Sequence, residues 1–296
     1  MKYGWQTAGP VELFACPGTS PGPTVVVTAG IHGDEYEGPA AVAALSRLLR
    51  PEKLSGAVIA IPIANPPAFA EALRFTPADG KNLARTFPGD PNGSETDRLA
   101  AFLWNDIIRH ADYLIDLHSG GMEYKFIPVA GFYGQPRNDN RSFAAAQYFG
   151  LPHLWQLPPT KGVLSHEAWQ HGITAIGMEY LGAGQLALAG MEAYTNGILS
   201  CLAHWGLLSD GILPARGSVI YGDWLLAQTD GIFYEYLGLG TKVETGDLIA
   251  QICDARGEPL QDFRAPAAGI VAGLRSKAFV RKDSWGVLAG CWEPLP

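Results

Sequence analysis

Hydrophobic and polar positions along the chain fall into two textures. The runs 24–29 (TVVVTA) and 57–63 (AVIAIPI) are short, continuous and rich in β-branched residues. Such runs predict strands covered on both faces, as in a largely parallel sheet. Between them, 38–50 (GPAAVAALSRLLR) has helical composition, and Pro51 follows as a stop signal. The alternation continues with a helix predicted over 95–110, a strand over 112–117, a helix near 140–149, a strand over 173–178 and a helix at about 189–206. This order predicts an α/β architecture for the first two-thirds of the chain. Beyond residue 207 the texture changes to short β-type runs separated by glycines, "SVIYGDWLLAQ", "GIFYEYLGLG", "DLIAQICD" and "GIVAGLR". A boundary near 208–214 is expected, dividing the chain into 1–210 and a small all-β domain, 211–296.

Composition narrows the picture. With 296 residues, 47% hydrophobic and 17% charged, the chain can bury a substantial core. No run of about 18 apolar residues appears, so no membrane-spanning helix is expected. The N-terminus lacks the continuous apolar stretch of a secretory leader, which leaves a cytoplasmic location as the expectation. A net charge of −8 without a basic cluster argues against nucleic acid and anionic membranes as partners and favours a small molecule. The four cysteines, 16, 201, 253 and 291, show no CxxC spacing and read as buried, reduced thiols. The tryptophans read as core or subunit contacts, leaving room for a homo-oligomer.

Candidate chemistry gathers at strand ends, where open α/β sheets bind ligands. "AGIHGDEYEG" follows the first strand, and its glycines 30 and 33 allow a sharp bend that lets His32 and Glu35 converge. Alone, this segment reads as an acidic turn or as half of a metal site, and the HxxE spacing is one that chance often supplies. "DLHSGG" ends another apolar run and brings His118. His32, Glu35 and His118 would then make a two-histidine, one-carboxylate set with a position open for water, the catalytic type of zinc site. Asp116 is expected on the opposite face of its strand, as a supporting acid at most. Glu179, in "ITAIGMEYLGAG", is an acid closing an apolar strand: either a proton-handling group or a salt-bridged carboxylate. The long connection 64–94 carries Arg74, Lys81, Asn82 and Arg85. A guanidinium there could hold a substrate carboxylate, or could pair with Asp79 and Asp90 on a solvated loop.

Jointly, "GIHGDE", "DGKNLARTFPG", "DLHSGG" and the strand-end glutamate, spanning roughly 24–182, resemble the succinylglutamate desuccinylase/aspartoacylase family of zinc carboxypeptidase-like enzymes. The resemblance implies a three-layer α/β/α domain with a mostly parallel sheet, followed by a small β domain. It implies one zinc ion on His32, Glu35 and His118, and Glu179 as general base and proton shuttle. Arg74 would polarise the scissile carbonyl and Arg85 would hold the substrate carboxylate. Many members have asparagine where Ala84 stands, and Asn82 is the residue that could take its part. The implied reaction is hydrolysis of a small N-acyl amino acid at its amide bond.

Two rivals use the same ligands: a zinc carboxypeptidase acting on short peptides, and a metal-binding protein without hydrolytic activity. A third comes from "GTKVETGDLIAQICDARGEPLQDFRAPAAGIV", which resembles the hammerhead fold of biotinyl and lipoyl carriers. Residues 253–263 between its half-motifs contain no lysine, which argues against a carrier role.

Overall fold

A computed structural model describes residues 1–137, 140–209 and 218–294, with 292–294 described as backbone only. The part 210–214 of the expected boundary lies outside the described residues.

The strands are β1 (Gly4–Ala8), β2 (Val11–Pro17), β3 (Ser20–Thr28), β4 (Ser55–Ile61), β5 (Tyr113–Leu117), β6 (Tyr124–Phe132), β7 (His153–Gln156), β8 (Thr174–Gly182) and β9 (Ser218–Tyr221), followed by the C-terminal strands. The chain is α/β as predicted, but its large sheet is mixed. A parallel core of β4, β3, β5 and β8 is continued by antiparallel pairs on both sides. β1 and β2 form a hairpin that adds to β4, while β6 runs antiparallel to β8. The apolar runs form strands for the predicted reason: Val25, Val26 and Val27 are all fully buried. Val25 and Val27 pack with the helices Glu37–Leu48, Arg141–Phe149 and Leu188–His204, and Val26 packs with the segment 99–108 on the other face.

The helix expected over 95–110 is regular only over Glu95–Phe102, then passes through a π turn, Leu103–Ile107, and a 3₁₀ turn, Ile108–His110. The wider turn lets the adjacent pairs Leu103–Trp104 and Ile107–Ile108 all face the core.

β6 was not legible in the periodicity because Pro128 sits inside it. Proline lacks an amide donor, and the β6–β8 ladder is irregular between Phe126 and Val129. Beside its pairing with β8, the interrupted strand serves two further partners. Tyr124–Phe126 pairs with the C-terminal strand Gly269–Arg275, and Val129–Phe132 pairs with β7. Pairing continues from β7 to β9, to the strand Trp285–Pro294 and back to Gly269–Arg275, closing a ring of strands. Its apolar cluster includes Phe126, Trp155, Ile220, Trp224 and Leu288. The ring brings the β-rich C-terminal residues against the ends of the parallel strands.

Among the cysteines, Cys16, Cys201 and Cys253 are buried as expected, whereas Cys291 is exposed near the chain end. Among the described residues no helix is long and apolar enough to cross a membrane.

Candidate functional site

After β3 the chain turns through Gly30, at φ +61°. A side chain at Gly33 would lie 2.1 Å from the backbone of Ala68, so the loop is pressed directly on the segment that follows β4. This close approach buries His32 and Glu35, which are 3% and 2% exposed. β5 lies parallel to β3 with Thr28 opposite Asp116, so the chain leaving β5 delivers His118 to the same place. His32 Nδ1 is 2.7 Å from Glu35 Oε1, and His118 Nδ1 is 3.0 Å from Glu35 Oε2. One donor atom from each residue lies within 4.8 Å of the others. The three residues that the sequence singled out as ligands are brought together.

The outer nitrogens fix how the rings present themselves. His32 Nε2 is 3.1 Å from Asn82 Oδ1, an oxygen that also accepts the Ala84 N–H at 2.9 Å. His118 Nε2 is 3.2 Å from Asp116 Oδ2. Both outer partners are acceptors, so with an ion bound each histidine would keep its proton on Nε2 and leave Nδ1, the nitrogen nearer Glu35, free to ligate. This is the orientation that partners of metal-bound histidines impose, and the donor set fits a divalent transition-metal ion. Only the face expected for Asp116 is corrected here. Residues two apart on a strand share a face, and Asp116, itself held by the Thr28 hydroxyl at 2.7 Å, supports His118 directly.

Charge at the centre follows from burial and neighbours. Burial alone would raise the Glu35 carboxyl, but His32 and His118 hold it below the usual carboxylate range. Burial, and after it the Arg74 cation, pull His32 down to about 4. His118 resists burial because Asp116 and Glu35 flank it, and stands well above the usual histidine value.

Glu179 is on β8, opposite Val129, and faces the same cavity as His32 and His118. Its Oε2 is buried without a hydrogen-bond partner among the described residues. Burial, and then the negative charge of Glu35, push its carboxyl well above the usual range. It forms no salt bridge, so the bland reading of this acid does not hold among the described residues.

Nor do the arginines pair on a solvated loop. Asp79 accepts from Thr96 and from the Lys81 N–H, and Lys81 Nζ reaches Asp97 at 2.5 Å. Arg74 turns inward, with Nη1 3.4 Å from both His32 Nδ1 and Glu35 Oε1. Arg85 donates to the Ala84 carbonyl at 2.9 Å and lines the cavity. Asn82 has its oxygen engaged by His32 and Ala84, and lines a groove beside the cavity, also bordered by Arg85.

The cavity, about 360 Å³, has a second wall that sequence reasoning missed: Asp223, Trp224 and Trp285 of the C-terminal residues. Trp285 stacks on Trp224 with ring centres 5.0 Å apart and planes 7° from parallel. Arg74 and Arg85 lie over the Trp285 ring at 5.9 and 5.7 Å, within cation–π range. These tryptophans therefore shape the site rather than only filling a core. Their β-type context carries no local sign of it, because the partners are some 200 residues away in sequence.

The geometry can be set beside known proteins. A curated relative from Halomonas elongata, N-alpha-acetyl-L-2,4-diaminobutyric acid deacetylase, is 32% identical over 288 residues, covering 93% of this chain and 84% of the relative. The product-bound structure of the ectoine utilization protein EutE (DoeB) from Ruegeria pomeroyi matches with a TM-score of 0.87 at 28% identity, covering 95% of this chain and 88% of the other. A succinylglutamate desuccinylase/aspartoacylase from Rhodobacter sphaeroides matches with a TM-score of 0.84 at 30% identity, covering 96% and 90%. The model of the succinylglutamate desuccinylase/aspartoacylase catalytic domain matches residues 21–205, which hold His32, Glu35, His118 and Glu179. With well over half of its length matched, the chain belongs to the succinylglutamate desuccinylase/aspartoacylase family.

Proposed function

We propose that this protein is a zinc-dependent deacylase that hydrolyses the amide bond of a small N-acyl amino acid. The observation that carries the reading is Glu179, whose Oε2 is buried without a hydrogen-bond partner among the described residues and which lines the same cavity as His32 and His118 of the His32–Glu35–His118 cluster. Zinc held by His32 Nδ1, Glu35 and His118 Nδ1 would supply an acidified water and polarise the substrate carbonyl. Glu179 takes a proton as the water oxygen bonds to the carbonyl carbon, and returns it to the nitrogen as the carbon–nitrogen bond breaks. Arg74, turned towards the same centre, donates to the carbonyl oxygen as negative charge develops there. Arg85 holds the carboxylate of the amino acid, with the Nδ2 of Asn82 as a second donor and the Trp285 ring steadying both guanidiniums. The products are a carboxylic acid and a free amino acid. In this reading 1–210 is the hydrolytic unit and 211–296 a β-rich cover over its cavity.

A carboxypeptidase is less well supported. A peptide chain needs an open groove, whereas Trp224 and Trp285 wall a cavity sized for a small molecule. Zinc-loaded protein offered N-acetyl, N-succinyl and N-formyl amino acids together with short peptides decides between them. Turnover of an N-acyl amino acid well above that of any peptide is expected, and the reverse order would favour the peptidase. Because the curated relative acts on an acetylated diamino acid, such a compound is the first to offer.

The reading also fixes a sign in the pH profile. Glu179 works as a base only when ionised, and burial raises its carboxyl above the ordinary 4.5. Activity is thus lost as pH falls through that raised value. The midpoint of the acid limb of kcat/KM should lie above 4.5, and a limb centred below it would contradict Glu179 as the base.

A further inference from the structure

The floor of the cavity beside Glu179 is a glycine that the fold does not require. Gly177 lies in the middle of β8, between Asp116 of β5 and Gly131 of β6. A glycine inside a paired strand weakens it and often marks a place where a ligand approaches. Its φ is not positive. A methyl group on it would meet Ser165 Oγ at 3.5 Å, Leu157 Cδ1 at 3.8 Å and the Asp116 carbonyl at 4.0 Å, all ordinary contacts. Gly131 opposite differs, since a methyl there would fall 2.6 Å from Leu157 Cδ1. Gly177 thus keeps space open rather than relieving the backbone. Residues two apart share a face of a strand, so the space lies on the side of Glu179, and both residues line the cavity.

Two hydroxyls serve this floor. Ser165 Oγ and the Tyr133 hydroxyl are 3.1 Å apart, and both residues are buried and line the cavity. One of the two hydroxyl hydrogens joins them, which leaves one donor and the remaining lone pairs for a ligand. The chain leads from here to Arg85: a side chain at Gly162, three residues before Ser165, would lie 2.4 Å from the Arg85 carbonyl. The half of the substrate that bears the carboxylate therefore lies on the Ser165 side. Its side chain, borne on the same carbon, is the part over Gly177.

We infer that Gly177 and Ser165 are specificity-determining residues, which select N-acyl amino acids whose side chain ends in an uncharged hydrogen-bonding group such as a carboxamide. The proposal rests on the deacylase reading. The groups nearest the floor, a hydroxyl, a methyl and a backbone carbonyl, carry no charge, so a charged end would be buried there without a counter-ion. A carboxamide accepts from the free hydroxyl hydrogen and donates to a hydroxyl lone pair. Gly177 and Glu179 are about 7 Å apart along the strand, which suits a spacer of two methylenes.

The test compares kcat/KM for the N-acetyl derivatives of glycine, norvaline, glutamine and glutamate, which present no side chain and then apolar, amide and anionic ends. In the wild type glutamine should exceed both norvaline and glutamate by ~5-fold or more, as for one net hydrogen bond. Ser165→Ala should bring the glutamine-to-norvaline ratio close to unity. Gly177→Ala should lower the glutamine-to-glycine ratio by ~10-fold or more, the effect of one methyl group in a fitted pocket. Residues that merely supported the fold would move all four substrates together and leave these ratios unchanged. A wild-type preference for norvaline or glutamate, a glutamine-to-norvaline ratio near one, or ratios unchanged in the variants would overturn the proposal. So would turnover of other N-acyl amino acids with none of these four hydrolysed. Should no N-acyl amino acid be hydrolysed at all, the deacylase reading fails instead. Calorimetric affinities for free glycine, norvaline, glutamine and glutamate, on wild type and both variants, then decide the roles of Gly177 and Ser165 by the same ratios.

Discussion

Glu179→Gln keeps its metal and loses hydrolysis by ~100-fold or more, the range for removing a general acid–base group. Glutamine preserves the shape of the side chain, so the Oε2 position stays filled and β8 keeps its pairing with β6. What disappears is the capacity to accept a proton and return it. The metal should stay because Glu179 lies outside the cluster formed by His32, Glu35 and His118. Elemental analysis and kcat on the same sample separate the two effects. A variant holding stoichiometric metal with activity within ~10-fold of wild type would remove Glu179 from the mechanism. One that loses the metal would place Glu179 among the ligands instead.

The double variant His32→Ala, His118→Ala loses metal binding altogether while remaining folded. Two of the three donor atoms go, and Glu35 alone cannot hold the ion against competing chelators. Losing only an outer partner of a metal-bound histidine typically costs ~10–100-fold in affinity or activity, and losing the ligands themselves costs more. The fold should survive because the sheet core, including Val25–Val27 and Ile115, lies apart from both rings. Metal content after dialysis should fall from one per chain to a small fraction, with the circular dichroism spectrum unchanged. Retention of stoichiometric metal by this variant would show that the ion binds elsewhere.

The two variants address different failures. A protein that binds metal through His32 and His118 yet hydrolyses nothing would leave the site in place and remove the deacylase reading. Hydrolysis that survives complete loss of the metal would do the opposite.

What the sequence revealed follows from local physics. A strand covered on both faces reads as an unbroken apolar run, so TVVVTA and the run ending in DLHSGG were visible as strands. A polar group at the end of such a strand stands out because burying it is costly without a task, and this exposed His32, Glu35, His118 and Glu179 as candidates. Their convergence could be anticipated because parallel neighbours end at the same edge. Arg74 and Arg85 were visible as cations but not in direction, since a loop can turn a guanidinium outward as readily as inward. The misplacement of Asp116 was an error of alternation, and the contact with His118 corrects it.

Long-range pairing was outside the reach of the sequence. Pro128 hid β6, and with it the strand that joins the parallel core to the C-terminal residues. The mixed character of the sheet, the ring of strands and the wall formed by Asp223, Trp224 and Trp285 all depend on that joint. The sequence by itself determined the elements and the chemistry, because periodicity and strand-end polarity are properties of neighbouring residues. Only the tertiary structure decided which groups share a cavity, because register between distant strands is set by their packing against one another and leaves no periodic trace in either one.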